Sequence, residues 1–140
     1  MKPQTGAGSR EQGAGSREHG AGNGNTFENL EVWQDAINLA AQVYELLRDC
    51  RDFEFRGQIQ RASVSVSSNI AEGYERDSNV EFIRFLFIAK ASCGEVRSQA
   101  HVARRVKLLA DQPAAQLIEQ ARRLSRRLQK LIDVRREKFN

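Results

Sequence analysis

The chain has 140 residues, enough for one domain of ordinary size, with 29% charged and 40% hydrophobic residues. That balance excludes a disordered or collagenous protein, and no apolar run approaches membrane-spanning length. The formal charge of +4 is uneven: residues 1–95 hold ten Lys/Arg against fourteen Asp/Glu, whereas residues 96–140 hold twelve against four. A basic final third points to an anionic partner, nucleic acid before membrane.

Residues 1–25 carry a degenerate repeat, "GAGSREQ", "GAGSREH", "GAGNGN", with seven of the ten glycines. Such a segment has no apolar surface to offset its ordering entropy, so it is expected to be a disordered Gly-rich leader outside the fold. It lacks the apolar core of a secretory signal. Cys50 and Cys93 are far apart and outside any CxxC pattern, which predicts reduced thiols in a cytoplasmic protein. The folded domain is expected over residues 26–140.

The first helix is predicted from Leu30, Trp33, Ile37, Ala40, Tyr44 and Leu47, spaced by three and four. Asn25 or Asn29 would cap its start, it would end near Cys50, and "RDFEFRG" would connect it onward. The second helix contains "SVSVSSNIAEGYER". Its alternating half imitates a strand, but Ile59, Ala62, Val66, Ile70 and Gly73 fit a helical seam over the longer window. Serines make this helix thin, and Gly73 is expected at the C′ position, where a left-handed residue closes a helix.

"SNVE" (Ser78–Glu81) reads as a capping box. The third helix then carries Phe82, Phe85, Ala89, Ser92, Val96, Ala103 and Val106 on its seam, out to about Leu109. "DQP" breaks the chain, with Pro113 in the first turn of the last helix. There Leu117, Ala121, Leu124, Leu128 and Leu131 share one side, and Arg122, Arg123, Arg126, Arg127 and Lys130 the other. The fold class is all-α: an antiparallel up-down four-helix bundle.

"FENLEVWQDAINLA" (27–40), "QIQRASVSVSSNIAEGYER" (58–76) and "EFIRFLFIAKASCGEV" (81–96) carry a resemblance. They are similar to the bacterial four-helix-bundle family of 23S rRNA intervening-sequence proteins, which is related to the accessory variability proteins of diversity-generating retroelements. The resemblance spans roughly residues 27–135. It implies a bundle, in some members a ring of five subunits, and no established catalysis. The retroelement members are strongly basic and work with nucleic acid and a reverse transcriptase. The family pattern falls on Asn69, Glu72, Gly73, Ser92 and Glu95.

Two candidate sites follow from the residues. The first is a basic surface of Arg104, Arg105 and Lys107 at the end of helix three with Arg122, Arg123, Arg126, Arg127 and Lys130 on helix four, continued by Arg135, Arg136 and Lys138. Phosphate recognition needs cations at intervals and no catalytic spacing. Against it stands the ordinary solvated helix face. Only Tyr74 and Phe139 could serve as exposed stacking rings, so backbone or shape recognition is the expected mode.

The second is the polar set Asn69, Glu72, Ser92 and Glu95, closed by Gly73. Its carboxylates could bind a metal or act as acid and base, but Glu-x-x-His pairs are missing, and the histidines are His19 in the leader and a lone His101. A structural role is preferred, with Glu72 near a helix C-terminus requiring a cation such as Arg76, Arg61 or Arg97. No nucleotide, nucleophile-elbow or zinc motif is present, so neither a cofactor nor a metal is expected.

The expected function is a non-enzymatic cytoplasmic homo-oligomer that binds nucleic acid through the basic face. The alternatives are an interaction scaffold whose basic face meets an acidic partner protein, and an enzyme using Glu72 and Glu95.

Overall fold

A computed structural model describes residues 25–139; the Gly-rich leader before Asn25 lies outside them. Four helices follow a single 3-10 turn at Phe27–Asn29: α1 Glu31–Leu46, α2 Phe53–Tyr74, α3 Asn79–Arg105 and α4 Asp111–Phe139. The described residues contain no strand, and none of their helices is long and apolar enough to cross a membrane. α1 packs on α2 and α4, and α3 packs on the same two helices. With the short connections, this is the antiparallel up-down bundle predicted above.

The core is a continuous apolar column contributed by all four helices, from Leu39 and Val43 of α1 to Leu117, Leu128 and Ile132 of α4. On α1 the buried seam is Val32, Ala36, Leu39, Val43 and Leu47. The seam read from the sequence lies one step round the helix: Leu30 and Trp33 are half-buried, while Ile37 and Tyr44 face outward. Two overlapping apolar series exist on this helix, and the positions of α2 and α4 decide between them. Trp33 instead stacks edge-on against Phe27 at 5.3 Å, fixing the 3-10 turn to the helix. The N-cap of α1 is Leu30, with no side-chain cap, so neither Asn25 nor Asn29 fills that position.

α2 begins inside the expected connection. Asp52 is its N-cap, and its carboxylate accepts from the Phe55 amide at 3.0 Å. Arg56, one turn in, donates to the carbonyls of Arg48 (3.1 Å) and Cys50 (3.3 Å) and pins the connection from α1. "SVSVS" is helical, and its burial reverses the strand reading: Ser63 and Ser67 are buried while Val64 is exposed. Each buried hydroxyl is satisfied within the helix, Ser63 donating to Gln60 O (2.8 Å) and Ser67 to Val64 O (3.0 Å).

Gly73 is not the left-handed closure the sequence suggested. It is a helical residue, the last but one of α2. A Cβ there would stand 2.5 Å from Phe85 Cβ and 3.2 Å from Phe82 Cδ1. Gly73 is therefore a point of close approach between α2 and α3, and the missing side chain is what admits the two phenylalanines.

α3 opens with half of the predicted capping box: Ser78 Oγ accepts from the Glu81 amide at 3.2 Å, while the Glu81 carboxylate turns to Arg84 and Arg76. Its seam is buried from Phe82 to Ala103, but the helix ends at Arg105 and Val106 is exposed. Lys107 takes the left-handed conformation, φ 69°. The Leu108 amide bonds Ala103 O (2.8 Å) and the Lys107 amide bonds Arg104 O (3.3 Å). This pairing is a Schellman closure with lysine in the place glycine usually takes.

Candidate nucleic-acid interface

The basic residues divide by the company they keep. Arg127 donates to Glu31 and to Asp35, both on α1, and so ties the last helix to the first. Arg122 (2.7 Å) and Arg126 (3.5 Å) share Glu119, one turn before Arg122 on the same helix. The hydrogen bond from Arg122 holds the Glu119 carboxyl below the usual carboxylate range. Arg104 pairs with Asp111 at 3.4 Å across the α3–α4 turn. Half of the cationic strip is thus neutralised by the protein itself.

Arg105, Lys107, Arg123 and Lys130 are different. All four are exposed and form no ion pair among the described residues. From the α3–α4 turn to Lys130 they cover about 28 Å at 1.5 Å per residue. Arg123 sits beside Asp35, Asn38 and Gln120 in a shallow polar cleft between α1 and α4. Lys130 borders a more apolar cleft with Leu30, Leu131 and Val134.

Arg135 does not belong to the basic face. It is buried, its Nε donates to Asn79 Oδ1 at 2.8 Å, and its guanidinium lies 5.0 Å from the centre of the Phe82 ring. Arg136 lies over Phe87 at 5.0 Å. Of the two candidate stacking rings, Tyr74 is buried edge-on against Phe82 and offers no platform, and the Phe139 side chain lies outside the described residues.

Sequence reasoning missed Lys90 and offered Arg97 only as a partner for Glu72. With Arg104 they stand seven residues apart on one side of α3, facing α4. Lys90 donates to Gln129 of α4 at 2.6 Å, and the charge of Arg97 reaches Cys93. The heptad spacing of these cations was the available signal. His101, a lone histidine in the sequence, joins Arg104, Arg105, Lys107 and Asp111 around one open depression at the α3–α4 turn.

The polar set does not assemble as one site. Asn69 donates to Ser65 O (2.8 Å) and Ser65 Oγ (3.0 Å), and Ser65 Oγ meets Ser92 Oγ at 2.9 Å. These three form a hydrogen-bonded seam between α2 and α3. Glu72 and Glu95 lie outside it, exposed and without an ion pair among the described residues. The cation expected for Glu72 is engaged elsewhere: Arg76 pairs with Glu81 at 3.6 Å. At an exposed helix surface, water solvates the carboxylate and no partner is required. Among the described residues no group of three or more His, Cys, Asp and Glu could hold a metal.

Comparison with known proteins agrees with this architecture. A family model described as 23S rRNA-intervening sequence protein matches residues 28–130. A solved structure from Bacteroides thetaiotaomicron, a protein with unknown function from the S23 ribosomal protein family, superposes with a TM-score of 0.68. The two are 20% identical, and the match covers 72% of this chain and 97% of that one. At that identity the likeness shows the fold alone. No curated protein matches the sequence.

Proposed function

With the chain belonging to the 23S rRNA-intervening sequence protein family, we propose that it is a non-enzymatic, homo-oligomeric cytoplasmic bundle that binds the phosphate backbone of nucleic acid. The observation that carries this reading is the set of cations left without acidic partners: Arg105, Lys107, Arg123 and Lys130. A cation already paired within the protein gains little by meeting a phosphate, because it must first give up its own carboxylate. An unpaired exposed cation releases the nucleic acid's counterions at no such cost.

Recognition through these residues is expected to follow the backbone and not the base sequence, since among the described residues none of the four cations has a ring contact. The test is binding of a mixed-sequence RNA duplex at low salt by wild type and by a variant with Arg105, Lys107, Arg123 and Lys130 changed to alanine. A loss of at least tenfold is expected, in line with the removal of several phosphate contacts. Equal binding would overturn the proposal. Arg127→Ala serves as the control, because its charge is already engaged by Glu31 and Asp35.

A further inference from the structure

The α3–α4 turn differs from the rest of the basic surface in shape. His101, Arg104, Arg105 and Lys107 surround a single open depression whose one acidic lining residue, Asp111, is held by Arg104. Cations commonly gather at a helix C-terminus because its free carbonyls attract them. That explanation is weak here, because three of the last four carbonyls are already used. Val102, Ala103 and Arg104 accept from the amides of Val106, Leu108 and Lys107. The side-chain donors are not occupied in capping the helix, and Arg105 and Lys107 are not occupied by an acid among the described residues either.

Lys107 adds a second argument. At φ 69° it occupies the position where glycine is at ease and a residue with a Cβ is strained. A strained residue that places its ammonium group on the rim of a cationic depression is an outlier calling for a functional reading. A guanidinium fork, an ammonium and an imidazole around one opening offer several N–H donors to a tetrahedral oxyanion.

We infer that this depression is a seat for one phosphate group, held chiefly by Arg105 and Lys107 with His101 beside them, and that it anchors the nucleic-acid backbone on the bundle. The inference rests on the nucleic-acid reading for the source of the phosphate, and on the geometry of the turn for the seat itself.

The test compares wild type with Lys107→Gly and Arg105→Ala. Lys107→Gly relieves the backbone strain, so its Tm should rise by about 3 °C while its affinity for an RNA duplex falls about fivefold or more, the worth of one charge-assisted contact. Higher stability with weaker binding separates a binding role from a structural one. If wild type binds the duplex and Lys107→Gly binds it equally well, the seat is overturned, and the broader proposal then rests on Arg123 and Lys130. If wild type does not bind the duplex, the nucleic-acid reading falls, and inorganic phosphate then decides the seat. A phosphate-dependent rise in Tm in wild type but not in Lys107→Gly supports a seat for a free phosphate; no rise in either overturns it.

Discussion

Asn79 and Arg135, 56 residues apart, exchange two buried hydrogen bonds across the bundle. Arg135 Nε donates to Asn79 Oδ1 at 2.8 Å, and Asn79 Nδ2 donates to Arg135 O at 3.1 Å. The first residue of α3 is thereby fixed against the last turns of α4. Because a buried guanidinium loses an acceptor, Asn79→Ala should cost about 1–3 kcal/mol of stability, measured by urea denaturation. Arg135→Met should leave nucleic-acid affinity unchanged under conditions where it is folded, since this arginine is part of the core.

Gly73 and Gly94 lie on neighbouring helices and should respond oppositely to alanine. At Gly73 a Cβ would overlap Phe85, with Phe82 immediately behind, so Gly73→Ala should destabilise by about 1–3 kcal/mol through overpacking. At Gly94 a Cβ meets nothing within 4 Å. Gly94→Ala should therefore stabilise by about 0.5–1 kcal/mol, the ordinary helical preference for alanine. Thermal or urea denaturation of the two variants checks the pair.

Cys93 is buried and donates to Ala121 O at 3.1 Å, and burial pushes its thiol up to about 11 from an ordinary value of 9.0. The unfolded chain then loses this proton first, so stability is full below pH 9 and declines as pH rises toward 11. The full decline amounts to about 3 kcal/mol at 1.36 kcal/mol per unit of pKa shift. Urea titrations at rising pH should show a steeper loss for wild type than for Cys93→Ala. A thiol reagent should modify half-buried Cys50 and spare Cys93 in the native state.

The unevenness of what could be read in advance has physical causes. α3 and α4 were legible because each has one apolar series at helical spacing, as in Phe82–Phe85–Ala89 or Leu117–Ala121–Leu124–Leu128. α1 has two, and only its packing against α2 and α4 selects Val32–Ala36–Leu39–Val43. Gly73 was misplaced because a glycine near a helix end serves closure or close approach equally well in a sequence, and Phe85 is what distinguishes them. The cationic strip was overcounted for the same reason: the acids that engage Arg127, Glu31 and Asp35, lie more than 90 residues away along the chain.

The α1–α4 clamp gives a prediction of its own. Arg127 is partly exposed, and solvent screens its pairs with Glu31 and Asp35. Arg127→Ala should therefore cost no more than about 1 kcal/mol. The loss should shrink in high salt, which denaturation at two ionic strengths would show.

The central claim is that unpaired cations, and not the basic strip as a whole, hold the nucleic-acid backbone. It is tested most directly by the salt dependence of binding to an RNA duplex. If Arg105 and Lys107 share one phosphate and Arg123 and Lys130 neutralise one each, replacing all four with alanine should flatten the slope of log K against log salt by about 3. Parallel slopes for wild type and the quadruple variant would contradict the account.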